Sequence, residues 1–183
     1  MNLELRQPCH ELAASFVRLR DACLHIGEDE WRGRLVLAHT DVAAYIETLL
    51  RRNSGQEIAE DWVPWVPETT LWIVESNEVV GDVQLRHPLN EWLLQIGGNI
   101  GYGTHPGHRN QGIATFALRE GLKLLAGMGV SEALATCRDD NVASIRVIEN
   151  CGGVRIADST AKGPKRLRYA IPTSSTAERC LST

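Results

Sequence analysis

GNIGYGTHPGHRNQGIATFALREGLKLLAGMG, residues 98 to 129, reads as a strand, a short basic loop, a glycine and a long amphipathic helix. From Gln111 onward Ala114, Ala117, Leu118, Gly121, Leu122 and Leu125 recur at helical spacing, while Arg119 and Lys123 fall on another face. One side of that helix packs and the other is wet. Gly112 falls in its first turn, where the leading N–H groups lack acceptors inside the helix and the positive end of the macrodipole draws anions. Arg109 adds a formal charge beside them. A side chain at Gly112, or a large one at Ala114, would hold a diphosphate off the backbone. The pattern is that of an anion cradle.

Arg109-Asn110-Gln111-Gly112-Ile113-Ala114 matches the R/Q-x-x-G-x-G/A signature, and the chain there resembles the GCN5-related N-acetyltransferases, the GNAT superfamily. The same glycines would also punctuate a plain loop before a core helix. What favours the cradle is context: a strand over Asn99 to His105, a helix of suitable length, then a strand and a second short helix led by an asparagine. The resemblance implies that Arg109, Asn110, Gln111, Gly112, Ile113 and Ala114 hold the pyrophosphate of acetyl-CoA as co-substrate. It further implies that the main chain of Tyr102, Gly103 and Thr104 pairs with pantetheine. Asn141 matches the family asparagine that contacts the cofactor, with Ser144 one turn further on the same face; Asn141 is equally an ordinary helix cap. LRHPLNEWLLQIGGNIGY, residues 85 to 102, also looks like a bacterial subgroup of such acetyltransferases.

Working outward, Asn2 to Gln7 alternates as a half-buried strand ended by Pro8, and Leu12, Phe16, Leu19 and Cys23 mark one face of a helix over about His10 to Leu24. Thr40 or Asp41 caps a second helix carrying Val42, Tyr45, Ile46 and Leu49, and the segment between the helices is open to either loop or short helix. Glu57 to Thr70, with Trp62, Pro64, Trp65 and Pro67, reads as an ordered loop whose indoles plug the core edge or line a pocket. Thr69 to Glu75 and Val79 to His87 form a hairpin, and Leu89 to Gly97 is a connection. After the central helix come a buried strand, Glu132 to Cys137, parallel to the strand before that helix, and a helix capped within Asp139-Asp140-Asn141. Val154 to Asp158 and Leu167 to Ile171 complete a final hairpin. The order β-α-α-β-β-β-α-β-α-β-β is that of the acetyltransferase superfamily. It predicts an α/β (α+β) fold with a mixed, mostly antiparallel central sheet flanked by helices, one domain over 1–171 and a flexible tail over 172–183.

With 183 residues and 43% hydrophobic content, one globular domain is the default. A net charge of -4 and a pI near 5.9 argue against nucleic acid and membrane as partners. Cys9, Cys23, Cys137, Cys151 and Cys180 form an odd set without metal spacing, so no metal is expected and a reduced, cytoplasmic setting fits. A small-molecule or peptide amine is the expected partner, and a homodimer is compatible with it.

Acetyl transfer from a thioester needs a fixed acyl donor, a neutral amine and a donor to the carbonyl oxygen as charge builds on it. An alkyl ammonium has a pKa of about 10, so a base must take its proton; Glu91 and His87, after the second hairpin strand, are the candidates. Tyr102 could donate a proton to the leaving thiolate. Relatives carry a tyrosine seven positions after the helix asparagine, where this chain has Ile148, so the usual acid is absent. Two other readings stay open: a non-catalytic acyl-CoA-binding regulatory module, and a Rossmann-type nucleotide binder, which lacks its three-glycine turn here.

Overall fold

The structure, a computed structural model, describes residues 2–28, 40–56 and 66–173. Seven strands form one sheet: β1 (Leu3–Arg6), β2 (Glu68–Glu75), β3 (Glu78–Arg86), β4 (Ile100–Thr104), β5 (Glu132–Arg138), β6 (Val154–Arg155) and β7 (Arg166–Pro172). Their order across the sheet is β1-β2-β3-β4-β5-β7-β6, antiparallel throughout except for β4 beside β5. The parallel pair flanks the long helix, as a strand–helix–strand crossover requires. Five α-helices are described: α1 (Ala13–His25), α2 (Val42–Asn53), α3 (Glu91–Gln95), α4 (Ile113–Gly127) and α5 (Val142–Asn150).

Two cores sandwich the sheet. On one face Phe16 of α1 stacks between Trp72 of β2, at 5.0 Å, and Tyr45 of α2, at 5.3 Å, with Leu12, Leu19 and Ile46 around them. On the other, α4 and α5 bury Ile113, Ala117, Leu118, Leu125 and Ile148 against Val83, Leu85, Ile100 and Ala135. Each fully buried side chain of this kind is worth about 1.5–3 kcal/mol. The spacing that predicted a packed face on α4 is therefore the spacing that buries it.

Local chemistry sets the ends. Asp41 Oδ1 accepts from Ala44 N–H at 2.9 Å at the start of α2, and Asn90 Oδ1 accepts from Leu93 N–H at 2.8 Å at the start of α3. The β2–β3 hairpin turns on two residues, Ser76 (φ 49°) and Asn77 (φ 65°), both left-handed as a tight antiparallel turn demands.

Several boundaries differ from the sequence reading. The Leu89 to Gly97 connection contains α3, a single capped turn too short to show a periodicity. The penultimate strand covers only Val154–Arg155, although Ile156 N–H still donates to Arg168 O at 2.9 Å. The last strand runs through Pro172, and Thr173 Oγ1 donates to Val130 O at 2.6 Å, so these two residues are built into the fold, and the rest of the expected tail, 174–183, lies outside the described residues. Trp62, Trp65 and residues 29–39 lie outside the described residues.

Candidate active site

Strand β4 loses its neighbour partway along. At its entrance Gly98 (φ 69°) lies so close to β5 that a Cβ would stand 2.2 Å from the Leu134 carbonyl oxygen, which only glycine permits. Asn99 follows and fastens three strands at once. Its N–H donates to Leu134 O at 2.8 Å and its Oδ1 accepts from Leu134 N–H at 2.8 Å. Its Nδ2 donates to Arg86 O at 3.0 Å, and its carbonyl accepts from Arg86 N–H at 2.8 Å. Beyond that knot the β4–β5 register consists of Ile100↔Ala135 alone, so the two strands part from Gly101 onward.

The parity of the ladder decides what faces the gap. His105 N–H donates to Val80 O at 2.8 Å, so alternate residues 101, 103 and 105 turn their main-chain groups to β3. Those of Tyr102 and Thr104 turn toward the opening. An extended chain lying there would meet donors and acceptors at strand spacing. Gly103, expected to share that pairing, has its main chain directed to Asp82 of β3 instead.

After β4 a single 3-10 turn, Pro106–His108, leads through Arg109 and Asn110 (φ 60°) to Gly112. Gly112 is the residue before the helix rather than part of its first turn, with φ 81°, and a Cβ on it would meet nothing within 4 Å. No side chain caps α4, and its first internal bond is Phe116 N–H to Gly112 O at 2.9 Å. The amides of Ile113, Ala114 and Thr115 thus lack helical acceptors. Gln111 and Asn110 are exposed, and Arg109, also exposed, is ion-paired with Glu28, just past α1. His105, T-shaped against His108 at 5.1 Å, is held below the ordinary histidine range by burial and by the charges of His108 and Arg109. The loop is open and bare of side chains at the glycine, and the charge of Arg109 beside it is paired with Glu28.

Asn141 caps α5, its Oδ1 accepting from Ser144 N–H at 3.0 Å. That contact uses the oxygen, not the amide NH₂. Tyr102 points to the α4–α5 side, where its hydroxyl oxygen is covered and lies beside Ser144. Burial pushes its pKa up to about 12; Ser144 pulls the other way, and Cys137 and Cys151 add to the rise. The structure therefore gathers Tyr102, Ser144 and Asn141 on one side of the strand gap, with the α4 amino end on the same face. Ile148, where the family resemblance implied a tyrosine, is 1% exposed and packed in the core.

His87 and Glu91 lie apart from this group, exposed at the far end of β3 and in the first turn of α3. What the sequence reading missed is a row on the opposite face of β3: Asp82, Gln84 and Arg86 are polar and buried. Their alternation with Val83 and Leu85 was visible, but alternation alone reads as a half-wet strand.

An acetyltransferase (GNAT) domain model matches residues 2–154. No curated protein sequence matches the chain. Among solved structures it is similar to Mycobacterium smegmatis RimJ in complex with CoA-disulfide, at 22% identity and TM-score 0.70, covering 98% of this chain and 88% of that one. It is also similar to RimL, a ribosomal L7/L12 α-N-protein acetyltransferase in complex with coenzyme A, at 17% identity and TM-score 0.71, over 96% and 97%. A third is the microcin C7 self-immunity acetyltransferase MccE with acetyl-CoA and AMP, at 15% identity and TM-score 0.65, over 93% and 92%. These share the fold.

Proposed function

The chain belongs to the GNAT acetyltransferase family, and on that premise we propose that it moves the acetyl group of acetyl-CoA to a primary amine by direct attack in a ternary complex. The observation that carries this reading is the alignment of two unsatisfied sets of amides. The opened edge of β4 at Tyr102 and Thr104 leads to the uncapped start of α4 beyond Gly112. One suits the amide-bearing arm of acetyl-CoA and the other its diphosphate.

Acetyl-CoA supplies an acyl group activated as a thioester. Arg109, Asn110 and Gln111 flank the diphosphate, the amides of Gly112, Ile113 and Ala114 bind it, and Asn141 offers its NH₂ while its oxygen caps α5. Ser144 sits one turn on, beside Tyr102. A tyrosine held near 12 is a poor proton source for a thiolate whose pKa is about 8–9. Tyr102 therefore acts by hydrogen-bonding the sulfur as charge builds there, and the thiolate leaves without taking the phenolic proton. Glu91 and His87, the candidates for the base in the sequence, stand apart from this group at the far end of β3. The acceptor we would test first is a protein α-amine, the group RimL modifies, ahead of polyamines and aminoglycosides.

Calorimetry with acetyl-CoA should give micromolar binding, and thiol release should follow on adding a peptide with a free N-terminal serine. Failure to bind at millimolar cofactor ends the proposal. A second reading has its own observation, the buried Ile148 in place of the family tyrosine: a regulatory module that binds acyl-CoA without turning it over. Tight binding with no thiol release across peptide, polyamine and aminoglycoside would favour it.

A further inference from the structure

On the face of the sheet away from α4 and α5, four side chains form one hydrogen-bonded line. Glu68 Oε2 accepts from Arg86 Nε at 2.6 Å, Gln84 Oε1 accepts from Arg86 Nη2 at 3.1 Å, and Asp82 Oδ2 accepts from Gln84 Nε2. Asp82, Gln84 and Arg86 are 4%, 4% and 5% exposed. A sheet face needing only to pack would carry valines at these positions, because well-packed apolar residues are often as stable as a buried charged network, or more so. The fold does not ask for this row.

The neighbouring strand explains where it looks. In the β3–β4 ladder Gln84 lies opposite Gly101 and Asp82 opposite Gly103. A Cβ at Gly101 would stand 3.3 Å from Gln84 Oε1 and 3.6 Å from Arg86 Nη1. Because neither β4 position carries a side chain, nothing from that strand screens the row from the edge where β4 leaves β5. Strands are spaced about 4.8 Å apart, so Asp82 lies one strand from that edge.

We infer that Asp82 is the base for the acceptor amine, a role that rests on the acetyl-transfer reading above. The ammonium N–H bond breaks and its proton passes to the Asp82 carboxylate, directly or through one water. The freed lone pair forms the C–N bond, the C–S bond breaks, and the second amine proton leaves with coenzyme A as its thiol. Gln84 and Arg86 fix the carboxylate from its own strand, and Trp72 flanks it on β2. Among the described residues, Cys23 of α1 feels the charge of Asp82 together with those of Glu28 and Arg109. Burial, with Glu28 and Asp82 adding to it against Arg109, pushes the Cys23 thiol up to about 12, so Cys23 stays protonated and cannot take the role.

Asp82→Asn keeps an acceptor for Gln84 and tests the assignment. With the N-terminal serine peptide, kcat should fall about 100-fold or more, the range for loss of a general base. The acidic limb of the kcat–pH profile should vanish, acetyl-CoA affinity should stay within about twofold, and Asp82→Glu should recover part of the rate; these margins follow from a base that does not touch the cofactor. The paired His87→Ala and Glu91→Gln variant should keep the limb. The inference is overturned if Asp82→Asn retains wild-type kcat and limb, if it weakens acetyl-CoA binding as a merely structural change would, or if the limb disappears with His87 and Glu91 instead. Wild-type protein that binds acetyl-CoA but acetylates no amine overturns the transfer reading along with this one.

Discussion

With φ at 81°, Gly112 occupies backbone space that costs an L-residue about 1–2 kcal/mol. Its missing Cβ would point into open space, so Gly112→Ala should not clash with the protein itself. Melting should fall by roughly 2–8 °C, at about 2–4 °C per kcal/mol for a chain of this size, whereas the acetyl-CoA Kd should rise tenfold or more because the methyl lies where the diphosphate approaches. Calorimetry and thermal melting on one sample separate the two effects. Tyr102→Phe should leave the melt near wild type, because the buried hydroxyl it removes has at most Ser144 for a partner, while kcat drops. The sign of the pH dependence follows from the same burial. A folded pKa raised from 10 to about 12 means that the tyrosine's contribution is complete below pH 10 and is lost as pH climbs through 12. Activity should therefore show no tyrosine limb between pH 6 and 10, and an alkaline limb in that range that Tyr102→Phe abolishes would contradict the assignment.

Elements meet at Asn99, whose side chain completes the β5 ladder at Leu134 and holds β3 at Arg86. Asn99→Ala leaves the Leu134 N–H and the Arg86 carbonyl buried without those partners, which should cost about 2–4 kcal/mol in urea denaturation. The opening between β4 and β5 should also lose its fixed starting point, so acetyl-CoA affinity should fall even where the variant remains fully folded. A change in stability with unaltered affinity would show that the knot merely holds the sheet. At the start of α5 the question is whether Asn141 does more than cap. Asn141→Ser keeps an oxygen for the Ser144 amide but removes the NH₂, so the melt should be unchanged while affinity drops several-fold. These elements were legible to different degrees, for a physical reason. Leu118, Leu122 and Leu125 announce α4, and the alternation around Leu134 announces β5, because helical and strand periods are local. Nothing local reveals that β4 pairs with β5 only at Ile100, or that Asn99 reaches two neighbours, because register is set between strands distant in the chain. The buried Asp82–Gln84–Arg86 row was hidden likewise: its burial depends on what covers that face, not on its own spacing. The glycine at an uncapped helix start with an arginine beside it could be read because all three lie within a few residues.

Across the whole molecule, the sheet acts as a frame that holds the α4 amino end level with the gap in its own middle. The contact that sets this height is Gly121, buried on the α4 face above β3 and β4. A Cβ there would stand 2.4 Å from Ile100 Cδ1, 3.2 Å from Leu85 Cδ2 and 3.3 Å from Val83 Cγ2, so three side chains from both strands meet at one point. Alanine is the better helix former by about 1 kcal/mol, but overpacking a filled core costs about 1–3 kcal/mol, and here Ile100 cannot yield without pressing on its neighbours. Gly121→Ala should therefore be net destabilising despite its helical advantage. Lifting α4 off the sheet also carries the Gly112 amides away from the β4 edge, so acetyl-CoA affinity should weaken although the substituted residue lies more than two turns from the cradle. Gly127 supplies the control on the same helix. A Cβ there meets nothing within 4 Å and its φ is not left-handed, so Gly127→Ala should stabilise by about 0.4–1 kcal/mol with affinity unchanged. If both alanines stabilise and both leave affinity alone, the height of α4 over the sheet is not what aims the cradle.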